Sequence, residues 1–362
     1  MENEKLITFI IPAYNAQSWL NQCLDSLMNQ TLNSHKVIIV DDGSTDNTAE
    51  IAQSYVQQCP GMFYYIKQEN AGQGSARNNG LRYVDTPFTS FLDSDDWQNN
   101  RFVEAVAKEL SRQDEMPDII FTLPWIYDSA TERILEWYDK PLFDKLFYPN
   151  EENINAPSCV LNVNIDRRLF EFEVNVCRRV FRTQFLRDIG FSFPTKVKWE
   201  DVKPHFDALH HAKRCIAIRN VGFFYRINSA EQTTAGKGIT RLDIIPVFQD
   251  AIQSAIQEGW DKEQIAYILR TLMIFVTWSI GITNTEYIQP LLKGLHVLMK
   301  SIPKQYVDVY LNLCSPYKRR DMLLIWLLKS PVYLLLKDYR TRQKGEEFFN
   351  NIRRIRNRLR RK

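Results

Sequence analysis

A chain of 362 residues with 44% apolar and 25% charged residues has an ordinary globular composition. It is long enough for a large core and near the length at which one domain becomes two. Residues 317–362 hold fifteen Lys and Arg against four Asp and Glu, a balance of +11 that leaves −8 for the rest of a chain whose total is +3. Such a split predicts an acidic body with a basic tail that meets an anionic surface. The six cysteines, Cys23, Cys59, Cys159, Cys177, Cys215 and Cys314, form no C-x-x-C pair, which argues against structural zinc and fits a reducing cytoplasm. The polar start enters a strand pattern at once, so no signal h-region is predicted. Residues 322–336 are apolar but broken by Lys329 and Pro331, and are shorter than the ~20 residues of a spanning helix. They read as interfacial or as a buried helix.

In chain order, residues 6–12 form a continuous apolar run, as in a strand buried on both faces. Helical spacing follows over 18–28, through Trp19, Leu20, Cys23, Leu24, Leu27 and Met28. A second buried strand over 37–40 ends in Asp41, Asp42 and Gly43, and Asp46 is placed to cap the next helix. A third strand spans 62–66. The glycine-containing turn 70–74 then leads into a helix reaching Tyr83, and a fourth strand spans 88–92. This alternation predicts an open, mostly parallel sheet with helices on both faces, whose ligands bind beyond the carboxyl ends of the strands. Further on, a helix to Leu110, a strand over 118–123, a helix over 176–189, another opened by Trp199, Glu200 and Asp201, and one or two strands over 215–227 are expected. Residues 228–238 read as a mobile loop. After residue 240 the pattern is helical almost throughout. The expected domains are 1–239 (a nucleotide-binding half 1–100 and an acceptor half 101–239), a helical domain 240–316, and the basic tail 317–362.

Three polar segments fall at strand ends. Asp93 and Asp95 are two apart after an apolar run, and so share a side at a strand end. Paired hard oxygens of this kind suit Mg²⁺ or Mn²⁺, although acidic residues also close ordinary strands. Asp41 and Asp42 form either a nucleobase contact or a plain turn. Gly72 and Gly74 allow close turning at a helix start where anions are favoured, with Arg77 one turn in. Asp201 is either a general base or a helix cap.

Together the segments Pro12 to Asn15, Val40 to Asp46, Asn70 to Gly80 and Asp93 to Asp96, followed by Glu200 and Asp201, resemble the inverting family 2 glycosyltransferases with the GT-A fold. The resemblance covers roughly residues 5–235. It implies a UDP-sugar donor held by Pro12, Tyr14, Asp41, Asp42, Asn70, Gly74, Arg77, Asp93, Asp95 and Arg226. It further implies Mn²⁺ or Mg²⁺ on Asp95 with Asp93 beside the sugar, and acceptor contacts from Glu200 and Trp199. Asp201 would take the acceptor proton. His205, one helical turn after Asp201, is a further candidate for the metal or the acceptor, and Arg226 for a loop closing on the diphosphate.

The implied reaction is inverting transfer to a hydroxyl of a glycan, lipid-linked, in bacterial capsule, exopolysaccharide or lipopolysaccharide assembly on the inner face of the cell membrane. The alternatives are a teichoic acid transferase whose tail oligomerises, and a non-catalytic nucleotide-sugar-binding module. For the tail, an anionic membrane is expected before a partner subunit, and nucleic acid is not expected, since no nucleic-acid motif accompanies the arginines.

Overall fold

The computed structural model describes residues 4–147, 158–162, 167–219, 221–229 and 237–313. The basic tail 317–362 and part of the expected mobile loop therefore lie outside the described residues. Contacts divide the chain into two compact units, Met1–Gln232 and Thr233–Lys362.

The first unit opens with β1 (Ile7–Ala13), α1 (Leu20–Met28), β2 (His35–Asp41), α2 (Thr48–Gln58), β3 (Phe63–Lys67), α3 (Gln73–Leu81) and β4 (Phe88–Phe91). It continues with β5 (Trp97–Gln98), α4 (Phe102–Leu110), β6 (Ile119–Thr122), β7 (Trp125–Asp128), β8 (Arg133–Glu136), α5 (Lys140–Asp144) and β9 (Ser158–Asn162). It closes with β10 (Arg179–Arg182), α6 (Thr183–Asp188), α7 (Val202–His211), β11 (Arg214–Ile218) and β12 (Phe223–Ile227). One eight-stranded sheet has the order β3-β2-β1-β4-β10-β6-β11-β9. Strands β1 to β4 are mutually parallel, and β10 runs antiparallel between β4 and β6. All seven residues of β1 are buried, as expected for a central parallel strand covered on both faces.

The expected helix over 176–189 is corrected. Val176–Arg178 is a 3-10 turn, β10 is a strand, and only Thr183–Asp188 is helical. The gap between β4 and β6 offers two ladders to one strand, and that pairing overrides the local helical spacing.

A second, four-stranded sheet, β5-β12-β7-β8, was not foreseen. Its strands are only two to five residues long, too short for periodicity to register. Cross-strand aromatic pairs hold it: Phe224 stacks between Trp97 at 5.1 Å and Trp125 at 5.3 Å. Its strand β5 begins at Trp97, directly after the acidic cluster, so this sheet anchors the turn that carries Asp95 and Asp96.

The second unit contains α8 (Ile244–Gln257), α9 (Lys262–Ile282), α10 (Thr285–Ser301) and α11 (Lys304–Leu313). Asp261 caps α9 by accepting the Glu263 and Gln264 N–H groups. Helix α9 is long and apolar enough to cross a membrane, with mean hydropathy 1.8 in its most apolar stretch, yet 56% of that stretch is buried and it packs on α8 and α11. It is the core helix of its bundle.

Candidate active site

The carboxyl ends of β1, β2 and β4 lie side by side, so their polar extensions converge. After β1, Tyr14 is half exposed and Asn15 adopts a left-handed φ of 49°. The Asn15 N–H donates to Ser44 Oγ at 3.0 Å, and its Oδ1 accepts the Thr45 N–H at 2.9 Å, so the two loops lace together. Pro12 is the last residue but one of the buried strand that leads into them.

Asp41 is fully buried; its Oδ1 accepts the Ser44 N–H at 2.8 Å and its Oδ2 the Tyr65 hydroxyl at 2.7 Å. Asp42 faces the third loop. It accepts the Ala71 N–H at 2.9 Å, the Gly72 N–H at 2.8 Å and Gln68 Nε2 at 2.7 Å. Asp42 thus fixes the turn that starts α3, where Gly72 sits at φ +90° and Asn70 is exposed. At Gly74 a Cβ would lie 2.3 Å from the Pro194 carbonyl, so only glycine lets α3 touch the segment that leads to Glu200.

Arg77 then links the two halves of the unit. It is buried, donating from Nη2 to Asp93 Oδ1 at 2.6 Å and from Nη1 to Glu200 Oε1 at 2.7 Å, with the Phe193 ring beneath it at 5.2 Å. Burial opposes its charge, but Asp93 and Glu200 outweigh burial and raise its pKa. Gln73 adds a second donor to Asp93 Oδ1, at 2.8 Å.

The acidic cluster is compact: carboxylate oxygens of Asp93, Asp95 and Asp96 lie within 4.8 Å of one another. Burial, then Asp93, push Asp95 up to about 6, and burial, then Asp95, raise Asp96 well above the usual carboxylate range. Asp96 Oδ1 accepts the Arg226 N–H at 2.8 Å, while its buried Oδ2 has no partner. Three crowded carboxylates, one with an orphaned oxygen, form a donor set that fits a hard divalent cation such as Mg²⁺ or Mn²⁺. Because Arg77 and Gln73 already occupy Asp93 Oδ1, Asp95 is the freer of the two candidate ligands.

Asp201 is half-buried at the position just before α7, but its side chain makes no capping hydrogen bond. Burial, then Glu200, push it up to about 7, with Arg77 opposing. Its neighbour Trp199 holds a left-handed φ of 65°, a strained setting for a bulky residue at the mouth of the site. Glu200 is buried, with its Oε1 on Arg77, so it aligns the guanidinium as well as flanking Asp201.

Two expectations change. His205 is buried, its Nδ1 pairs with Arg179 Nη2 at 2.6 Å, and it is not a member of the acidic group formed by Asp93, Asp95 and Asp96. Burial, then Arg179, lower its pKa well below the usual histidine value. Arg226 lies in β12 and not in a loop. It is enclosed by Trp19, Trp97 and Tyr127 at 4.3, 4.8 and 5.5 Å, and its Nε donates to the Asp95 carbonyl at 2.8 Å. It braces the acidic turn instead of closing over a diphosphate. The sequence reading missed Gln73, Tyr65 and Phe193, which touch site residues but carry no motif of their own, and left Asp96 without a role.

Residues 8–160 match the sequence profile of the family described as Glycosyl transferase family 2. Those residues carry the sequence signature of that family. The putative glycosyltransferase EpsH of Bacillus subtilis is 34% identical over 227 residues, 61% of this chain and 61% of EpsH. The minor teichoic acid biosynthesis protein GgaB of the same organism is 26% identical over 242 residues, 64% of this chain and 25% of GgaB. The chain thus spans less than two thirds of each of these curated relatives. Among solved structures, S. aureus TarS 1–349 in complex with UDP-GlcNAc superposes with a TM-score of 0.71 at 16% identity, covering 98% of this chain and 92% of that one. At that identity the likeness establishes the fold alone, the GT-A arrangement followed by helices.

Proposed function

We propose that this chain is a metal-dependent, inverting glycosyltransferase that moves a sugar from a UDP-sugar to a glycan hydroxyl in bacterial surface-polymer assembly. The observation that carries this reading is Arg77, which ties the acidic cluster to the Glu200–Asp201 pair through two ion pairs. Donor-side and acceptor-side carboxylates are thereby held in one site. A divalent ion on Asp95, with Asp93 or Asp96, would offset the charge developing on a departing diphosphate. Asp201 takes the proton of the attacking hydroxyl; its carboxylate is unspent on capping and its raised pKa suits a base working near neutrality. A single displacement of this kind inverts the anomeric centre. Tyr14 and the Pro12 turn flank the nucleobase, Asp41 takes its imide N–H beside the bonds it already accepts from Ser44 and Tyr65, and Asp42, Asn70 and Gly74 shape the phosphate-facing turn. Trp199 faces the acceptor.

The donor class is supported by TarS, solved with UDP-GlcNAc, and by the acidic donor set. The name of GgaB also favours a second reading, a wall-polymer acceptor such as a teichoic acid. UDP release across a panel of UDP-sugars, with and without Mn²⁺, tests the proposal. Binding of UDP without turnover of any sugar would leave a non-catalytic binding module. Residues 317–362 supply the proposed contact with an anionic membrane on its cytoplasmic side, and equal flotation of the intact chain and a chain ended near residue 315 with anionic liposomes would refute it.

A further inference from the structure

A second set of polar groups, unused by the chemistry above, lies within electrostatic reach of Asp201. Trp137, Tyr138 and Asp139 join β8 to α5, Glu173 follows the 3-10 turn Arg167–Glu171, and Arg178 immediately precedes β10. Arg178 is fully buried over the Phe172 ring at 4.8 Å, and its Nη1 donates to Asp139 Oδ2 at 2.5 Å. The same Asp139 oxygen accepts the Glu173 N–H at 2.8 Å. Beside these bonds, Asp139 Oδ1, Glu173 Oε2, Arg178 Nε and Nη2, and Trp137 Nε1 are all buried without a hydrogen-bond partner. Buried polar atoms are nearly always paired, and each orphan costs free energy. Here donors and acceptors are left unpaired together, beneath the exposed Tyr138, in a framework that their mutual bonds and the surrounding rings keep fixed.

Tyr138 stands next to this constellation with its ring 5.5 Å from Trp137 and 59% exposed. Burial, then Asp139, push Glu173 up to about 8, with Asp201 adding to the rise. At neutral pH Glu173 therefore holds a proton and can donate as well as accept. A neutral acid, a carboxylate, a guanidinium and an indole N–H offer both hydrogen-bond senses, and an exposed aromatic ring offers a flat apolar face. Sugar rings present vicinal hydroxyls and a C–H face that match both.

We propose that Tyr138, Asp139, Glu173 and Arg178 form the subsite for the terminal sugar of the acceptor, a neutral, hydroxyl-rich ring and not a polyol phosphate. With Glu173 protonated, the two remaining charges, Asp139 and Arg178, neutralise each other in their ion pair, so the group carries no net charge to attract an anion. The inference rests on Asp201 being the acceptor base, since the subsite matters to catalysis only if it presents a hydroxyl to that residue.

The test uses the full chain with UDP and Mn²⁺, and saturation-transfer NMR with methyl glycosides of neutral hexoses and N-acetylhexosamines against a glycerol phosphate oligomer. At least one glycoside is expected to bind, with the signal reduced about fivefold or more in Tyr138→Ala and Glu173→Ala and kept in Glu173→Gln, whose amide retains the hydrogen bonds. UDP affinity, unchanged in each variant, reports an intact donor side. Tyr138 is exposed, so its variant stays informative if Glu173→Ala does not fold. Equal glycoside signals in wild type and Tyr138→Ala, no glycoside signal at all, or preference for the glycerol phosphate oligomer would overturn the proposal. UDP release from UDP-sugars is measured in parallel. Its absence would sink the transferase reading while the glycoside result stands on its own.

Discussion

Asp201 occupies a helix start without capping it, and its replacement separates chemistry from structure. Asp201→Asn is expected to lower the transfer rate about 10³-fold while UDP binding persists, because only the proton acceptor is lost. The base must be ionised, and its pKa is pushed up to about 7. Thus kcat/KM should rise with unit slope as pH increases to near 7 and then level, and a rate profile flat across that range would remove Asp201 from the role. Arg226 makes a different residue-scale point. Its guanidinium lies among three aromatic rings and on the Asp95 carbonyl, geometry that Lys cannot copy. Arg226→Lys should therefore weaken Mn²⁺ binding by about tenfold, read by titration calorimetry in the presence of UDP.

Among the elements, α3 is the most constrained. A Cβ at Gly80 would come 2.6 Å from Ile10 Cγ2, and one at Gly74 2.3 Å from the Pro194 carbonyl. Both Gly74→Ala and Gly80→Ala should cost about 1–3 kcal/mol in urea unfolding. Gly74→Ala should cost more activity, since it pushes Arg77 away from Glu200; equal activity losses would mean that the loop over 193–200 adapts freely. The sequence made α3 and strands β1 to β4 legible, since long apolar runs and glycine turns carry their signal locally. It misread β10, whose strand form comes from two partners distant in the chain, and it missed the small sheet, whose strands are too short to show a period. The site was legible where acidic residues end predicted strands, at Asp41, Asp42, Asp93 and Asp95. It was not legible at Arg226, where the aromatic enclosure is assembled from Trp19, Trp97 and Tyr127 on separate segments. Nor was it legible at His205, whose bond to Arg179 depends on where β10 lies.

At the scale of the whole molecule, four acids share one sign of shift: Asp95 near 6, Asp201 near 7, Glu173 near 8, and Asp96 well above the usual carboxylate range. Each binds its proton more tightly folded than unfolded. Between about pH 4 and about pH 8 the folded state then holds more protons, so their contribution to stability is full at the acid end and is lost as pH rises. Without divalent ions, the calorimetric Tm should fall from about pH 5 to about pH 8. Mn²⁺ should raise it more at the higher pH, where the carboxylates are free of protons. A Tm that climbs over that interval would contradict the assignment.

The guanidinium of Arg77 reaches Asp93, 16 residues on, with one terminal nitrogen and Glu200, 123 residues on, with the other. A single rigid plane cannot follow movement at one carboxylate without turning at the other. Whatever a donor does to Asp93 is felt beside Asp201, and by reciprocity an acceptor seated near Asp201 changes donor affinity by the same factor. Donor and acceptor binding should therefore be coupled, and Arg77→Lys should reduce the factor by which a bound acceptor changes UDP affinity in titration calorimetry; an unchanged factor would remove Arg77 from that coupling.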